Sequence, residues 1–346
     1  MRSKIKDWFS KTKVANRPSV DSDLSQAPWN QAYSRAASET DIYQCFRLLL
    51  GRNPHPEEWA GHAARAGEKL ETIVAGYLGS LEFERRGLLS RRQSMEFSIA
   101  SVQGFQIYVS RSDSDVGSHV AMDNYEPDVT AVFGRVLRPG MGVIDIGANI
   151  GYFSMLSARL VGPEGHVLAV EPNPRNARML EASRRLNDYS YVSVAQVAAG
   201  RTTGLLTLHV GQSNGTTSEP SDDIDTLLGA ETVASLRIDD IVSAARSVGL
   251  IKLDVEGAEY NAILGCEGVI TRDRPTIISE FSPDQMPGIS GVSGPDYLRW
   301  LIARGYWVGC IQPDGSVSTP GDDPEQIMAE YAARQRDHID IVATPG

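Results

Sequence analysis

"VIDIGANIGYFS", residues 143–154, runs from an apolar strand pattern through an acid and a loop of small residues into an amphipathic helical pattern. Asp145-Ile146-Gly147-Ala148-Asn149-Ile150-Gly151 therefore predicts a strand–turn–helix unit. In an open parallel sheet such a turn faces the crevice at the carboxyl ends of the strands, where ligands bind. Gly147 permits a sharp turn and close approach of a ligand to the backbone. Gly151 lets the helix pack tightly under the strand.

A dinucleotide fingerprint would place a second glycine where Asn149 stands, to make room for a pyrophosphate. Asp145 puts a carboxylate beside the loop, which would repel a diphosphate. No lysine or arginine occurs in the stretch, and no G-x-x-x-x-G-K-[ST] phosphate loop is present. The turn favours an uncharged sugar with a cationic group nearby, and S-adenosylmethionine fits that description. "HVLAVEPNP", residues 166–174, supports this, because Glu171 at a strand tip can accept both ribose hydroxyls. NAD would use the same acid, so Glu171 discriminates only in company with the D-x-G-x-N-x-G loop.

A second strand–turn–helix unit is "LIKLDVEGAEYNAIL", residues 250–264. Asp254 and Glu256 lie two apart at the strand end and are expected to project to one side. Adjacent carboxylates repel, which raises a pKa and makes a usable general base. Glu259, in the first helical turn, reads as structural. Lys252 either moderates the acids or snorkels from the strand. "PTIISEFSP" brings Glu280 to the next strand end, so Asp254, Glu256 and Glu280 could share one crevice, with a divalent cation as a possible occupant. His119 and His209 are isolated and read as surface or core histidines.

Outward from these units, apolar strands are expected at 142–146, 166–170, 192–198, 250–255 and 275–281, with helical patterns at 151–160, 174–187, 240–248 and 258–265. That alternation predicts parallel strands joined by helical crossovers. "LLTLHV" near 205–210 and 306–319 read as added antiparallel strands, and "IDIVATP" could complete the sheet edge. A strand is expected at "FQIYVS" and a helix near 126–137, with a polar helix around 90–97. Residues 41–90 carry three apolar helical stripes, including Ile42, Phe46, Leu49 and Leu50, and predict a small all-α domain after a basic tail and linker, 1–40. The α/β domain is expected to occupy 100–346. Loops 283–295 and 105–124 are candidates for acceptor contact.

Composition sets limits. The 346 residues carry a formal net charge of −11, which argues against a general nucleic-acid binder. Three dispersed cysteines suggest neither a disulfide framework nor a zinc site. With no run long enough to span a bilayer, the expected location is cytoplasmic. Residues 1–17 hold six basic residues with Ile5, Trp8 and Phe9 at helical spacing, a pattern that could touch an anionic membrane surface.

Together, "YEPDVTAVFGRVLRPGMGVIDIGANIGYFSMLSARLVGPEGHVLAVEPNP", "IKLDVEGAEYNAILG" and "RPTIISEFSP" resemble the FkbM family of S-adenosylmethionine-dependent methyltransferases. The N-terminal words "YQCFRLLLGRNP" and "VAGYLGSLEFERR" resemble a small helical domain of unknown function found beside carbohydrate-related enzymes. The first resemblance implies a Rossmann-like class I methyltransferase fold with a mostly parallel seven-stranded sheet, helices on both faces, and methyl transfer to a hydroxyl, often of a sugar or polyketide. It implies that Asp145, Gly147, Asn149 and Gly151 line the methionine and ribose, with Ala148, Tyr152 and Pro172 completing the cofactor set. By the same resemblance Glu171 holds the ribose, Asn173 and Gln196–Ala198 neighbour the adenine, and Tyr125 and Glu126 close over the cofactor. Asp254 and Glu256 would stand beside the methyl group. Two other readings remain open: transfer to a lipid-linked or secondary-metabolite hydroxyl, and a non-catalytic scaffold with a vestigial cofactor site.

Overall fold

The computed structural model describes residues 34–87, 96–211 and 214–346. Residues 1–33, including the basic segment, and the greater part of the expected polar helix at 90–97 lie outside them. The chain divides into two units, Met1–Arg92 and Gln93–Gly346.

The smaller unit is helical: α1 (Glu39–Cys45), α2 (Pro56–Ala63), α3 (Leu70–Leu78) and α4 (Leu81–Arg86). Ser38 and Asp41 form a reciprocal capping box that starts α1, satisfying two otherwise unpaired backbone donors. The helix widens into a π-helical turn over Phe46–Leu50 and ends at Gly51, whose φ of 72° is a left-handed cap. Ile42, Phe46, Ile73 and Tyr77 form the core, with Leu49 and Leu50 packed against it. Arg52, in the turn, binds the carboxylates of Glu58 and Glu82 and stacks over Phe46, tying three elements together.

The larger unit opens with a hairpin, β1 (Phe97–Val102) and β2 (Phe105–Ser110), then α5 (Gly117–Ala121) and α6 (Pro127–Val136). Phe97 thus begins a strand rather than ending a helix. The α/β alternation follows: β3 (Gly142–Ile146), α7 (Tyr152–Val161), β4 (His166–Val170), α8 (Pro174–Leu186) and β5 (Val192–Ala195). A side sheet is then built from β6 (Ala198–Ala199), β7 (Gly204–Val210), β8 (Gly215–Ser218), the short helix α9 (Ile224–Gly229) and β9 (Thr232–Leu236). The chain returns through α10 (Ile238–Ile241), β10 (Leu250–Leu253), α11 (Glu259–Leu264), α12 (Glu267–Asp273) and β11 (Thr276–Phe281). It finishes with α13 (Met286–Ile289), α14 (Gly294–Ile302), β12 (Tyr306–Cys310), α15 (Pro324–Arg334) and β13 (Ile339–Pro345).

The main sheet has seven strands in the order β12-β13-β11-β10-β3-β4-β5. β11, β10, β3, β4 and β5 are parallel, and β13 runs antiparallel between β11 and β12. Two hydrophobic cores lie in this unit, one containing Phe133, Phe153 and Leu180, the other Phe281, Tyr297 and Leu301. This is the α/β class I methyltransferase architecture expected from the alternation.

Four local expectations need correction. The last strand does not complete the sheet edge: β13 is interior, and β12 forms the edge. Residues 192–198 are not one strand. Val197 N–H turns back to the Ala195 carbonyl, and Ala198 enters the side sheet, pairing parallel with Ser235 of β9. The helix expected over 240–248 is a single turn, because Val242 becomes extended (ψ 125°) and Val248 N–H is taken by the Asp273 carboxylate. Strand β10 ends at Leu253, so Asp254 and Glu256 stand on a turn, not on a strand face.

Gly151 caps α7 at φ 97°, and a Cβ there would meet Leu180 Cγ at 2.6 Å. Gly151→Ala should cost about 1–3 kcal/mol through overpacking and a strained backbone. Chemical denaturation checks this; an unchanged unfolding midpoint would refute it.

Candidate active site

At the carboxyl ends of β3, β4, β10 and β11 the sheet opens into a cleft of about 440 Å³. That volume lies within the usual range for a small-molecule site. Gly147 and Asn149 come from the β3 turn, Glu171 and Pro172 from the end of β4, and Ala198 from β6. Asp254, Glu256 and Glu280 enter from β10 and β11, and Glu126 from the start of α6.

The remaining expected residues stand elsewhere. Asp145, Ala148 and Tyr152 line a small inner recess behind the turn, shared with Lys252 and Phe153. Asp145 is fully buried and points to α7, where Oδ2 accepts from Ser154 Oγ at 2.6 Å. One residue before the end of β3, it lines this inner recess with Gly147, Asn149 and Asp254 rather than the main cleft. Gly151 and Asn173 shape the backbone: Asn173 caps α8 by accepting from Arg175 N–H at 2.9 Å. Gln196, at the break after β5, faces a shallow depression with Arg178 and Glu181 rather than the cleft.

Gly147 makes the sharp turn expected of it, at φ 80°, and lines the cleft. It also has a second reason: a Cβ there would lie 1.7 Å from the Asp254 carbonyl oxygen, a close approach between two strand ends. Gly147→Ala should therefore push the Asp254 turn aside, lowering stability by about 1–3 kcal/mol and weakening cofactor binding together. Calorimetric titration with S-adenosylhomocysteine measures the second effect; unaltered affinity would show that the contact is not needed.

Glu171 is held ready for two hydroxyls. Its Oε2 accepts from Asn149 N–H and its Oε1 from Asn173 N–H, each at 2.8 Å. Each oxygen keeps a further lone pair for a ligand donor. Burial raises its pKa to about 7, against the pull of the two N–H groups.

Around the β10 end the charges are unbalanced. Lys252, 4% exposed, donates to Asp254 Oδ2 at 2.7 Å and lies 4.7 Å over the Phe153 ring. Burial opposes its charge, but Asp254, Glu126 and Asp145 outweigh burial and hold its pKa above the ordinary lysine range. Burial also raises Glu126, with Lys252 opposing and Asp254 and Asp340 adding. Glu280 is raised by burial, then by Asp254 and Glu256, while its Oε1 accepts from Ser282 Oγ at 2.8 Å. Burial, then Asp254, raises Glu256. A single buried ammonium thus faces several carboxylates, and the donor set calls for another cation.

A cationic, phosphate-free cofactor fits that requirement, and Glu171 fits its ribose. A divalent metal does not: among the described residues no group of three or more His, Cys, Asp or Glu could hold one. The expectation that Asp254, Glu256 and Glu280 could ligate a cation fails because Asp254 is already paired with Lys252. Glu259 is structural, its Oε1 accepting from Val255 and Gly257 N–H and so bracing the acid turn.

Several residues at or behind the cleft escaped the sequence reading. Asp340 does not line the cleft, but it lies behind it, across the strand pair from Glu280, a register that no local pattern reveals. Asp337 and His338 reach the cleft from the turn before β13, and His119 from α5, with His119 Nδ1 2.7 Å from the Asp115 carbonyl. Asn214 reaches Asn149 from the side sheet, Asn149 Nδ2 donating to Asn214 Oδ1 at 3.1 Å.

Glu171 and Glu259 both titrate near 7 rather than at the usual 4.5. Between those values the folded protein binds more protons than the unfolded chain, so stability falls as pH rises through that window. The contribution is full below the lower value and lost above the upper one. The ligand-free protein should therefore show a lower thermal midpoint at about pH 8 than at about pH 5.5. A flat midpoint would mean that these carboxyls are solvated.

A seven-stranded sheet with β13 reversed, a glycine turn after β3 and a buried acid after β4 make up the class I methyltransferase fold. Residues 145–308 match the methyltransferase FkbM domain family. The 31-O-demethyl-FK506 methyltransferase FkbM of Streptomyces tacrolimicus is 33% identical over 168 residues, covering 39% of this chain and 62% of that protein. A protein-L-isoaspartate O-methyltransferase of Methanothrix thermoacetophila is 40% identical over 68 residues, 20% of this chain and 31% of the relative. The chain thus spans less than two thirds of the length of these curated relatives. A solved methyltransferase FkbM from Methylobacillus flagellatus KT aligns with 18% identity and a TM-score of 0.37, over 62% of this chain and 50% of that one. No helix among the described residues is long and apolar enough to cross a membrane.

Proposed function

We propose that this chain methylates a hydroxyl of a sugar or glycan, using S-adenosylmethionine and leaving an O-methyl ether. The observation that carries the reading is Glu256: a carboxylate with a raised pKa, half-exposed in the cleft beside the cofactor turn, on backbone held at φ 53°. A non-glycine residue in that conformation costs of order 1–3 kcal/mol and persists where function requires it.

When bound, the cofactor supplies an electrophilic methyl group. Glu171 holds the ribose, and Glu126 and Asp254 face the positive charge. Glu256 accepts the proton of the acceptor hydroxyl, and alignment within the closed cleft supplies the larger part of the acceleration. Lys252 pairs with Asp254, while burial and the neighbouring Asp254 raise the pKa of Glu256. Glu280 stays protonated at neutral pH and donates to acceptor oxygens. Polar lining from Asn214, Thr217, His119 and His338 supports a polyhydroxylated acceptor. The Streptomyces relative, whose name describes O-methylation, supports transfer to oxygen.

The test is incubation with labelled S-adenosylmethionine and fractionated glycans, followed by mild base. Base-stable label on sugar supports the ether. Base-labile label on protein carboxyls would point instead to the chemistry named for the isoaspartate relative. Absence of S-adenosylhomocysteine binding would leave only a scaffold.

A further inference from the structure

A second groove, of about 380 Å³, opens behind the acid turn and is continuous with the cleft through Ala199, Thr217 and Ala258, which line both. We infer that this groove receives the part of an oligosaccharide acceptor that lies beyond the sugar being methylated. The inference rests on the proposed transfer to a glycan hydroxyl and specifies an extended acceptor rather than a single sugar.

One wall is the side sheet and its turn, contributing Arg201, Thr202, Ser218 and Ser235. The other is the loop after β11, residues 288–291, together with Asn261 of α11. That loop is fastened to the acid turn. Ser290 Oγ donates to the Gly257 carbonyl at 2.5 Å, and Gly257 has no room for a Cβ, which would meet Ile289 Cδ1 at 2.9 Å. The groove wall and Glu256 are therefore one rigid piece, so a chain lying in the groove is positioned relative to the base.

Hydroxyls, an amide, a guanidinium and exposed backbone suit an acceptor rich in hydroxyl groups. Small residues, among them Gly204 and Gly288, keep the channel open. A Cβ at either would meet nothing within 4 Å. Gly288 is thus a place where a large side chain fills the groove without disturbing the fold. Among the described residues no aromatic lines the groove, so contact is by hydrogen bonding rather than stacking.

The experiment uses an array of immobilised mono- and oligosaccharides, probed with the full chain in the presence of S-adenosylhomocysteine. Gly288→Trp is compared with the native protein, and Gly229→Trp, at an open position in α9 outside the groove, serves as the control. Native protein and control should retain oligosaccharides in preference to their terminal monosaccharide. Gly288→Trp should lose that preference by about tenfold or more, the worth of one or two hydrogen bonds, with cofactor affinity unchanged. Retention of no oligosaccharide, or retention untouched by Gly288→Trp, overturns the groove. Repeating the array with labelled S-adenosylmethionine separates the two readings. Methylation without length preference sinks the groove alone, whereas groove-dependent retention without methylation upholds the groove and sinks the transferase.

Discussion

Lys252→Met should destabilise the larger unit by about 3–5 kcal/mol, the range for removing one partner of a buried ion pair. The Lys252 side chain is 5% exposed, and its ammonium is 2.7 Å from Asp254 with Glu126 and Asp145 near enough to act on it. Methionine retains the packing against Phe153 but leaves the acids uncompensated. They can escape only by taking up protons, so the loss should be smaller at about pH 5.5 than at about pH 8. Adding Asp254→Asn should recover part of the stability, since the uncompensated charge is then gone. Urea denaturation of the single and double variants checks this. A loss below about 1 kcal/mol at the higher pH, in the range of a solvated surface pair, would show that water already screens the cluster.

Glu256→Gln should lower kcat by about 10²–10⁴, the usual worth of a general base, with S-adenosylhomocysteine affinity nearly unchanged. Glu256→Asp should restore part of the rate, and the acid limb of the pH profile should vanish in the glutamine variant. Glu256→Gly carries a second, opposite signature. Glycine adopts the φ of 53° without strain, so this variant should unfold no earlier than the native protein while losing transfer. A glutamine variant with full turnover would move the base to another cleft residue such as His338 and leave the strained backbone without its reason.

What could be read in advance follows from how local each signal is. The β3 turn, β4 with Glu171 and the β10 turn were legible because apolar runs end at glycine and acid within a few residues. Such signals survive without knowledge of neighbours. Of the two segments named for acceptor contact, 105–124 contributes Asp115, Val116, His119 and Asn124 to the cleft, and 283–295 contributes residues 288–291 to the second groove. Asp340 was not legible, because it acquires meaning only from its register with Glu280. The Ser154 partner of Asp145 was not legible, because strand alternation leaves open which face meets α7. The antiparallel strand expected near 205–210 is β7, but the rest of its side sheet was not legible. β7 has strand composition, but its partners β8 and β9 follow in sequence at a distance that composition cannot set.

The interior position of β13 has a consequence for biogenesis. Its residues 339–345 leave the ribosome after every other strand of the sheet, yet they must slot between two strands already made. Until then β11 and β12 each expose an unpaired edge, the kind that templates association between chains. The carboxylate of Asp340 also arrives with this last piece. A nascent chain therefore has an unfinished cofactor mouth and two adhesive margins at once, and both are resolved by the same insertion.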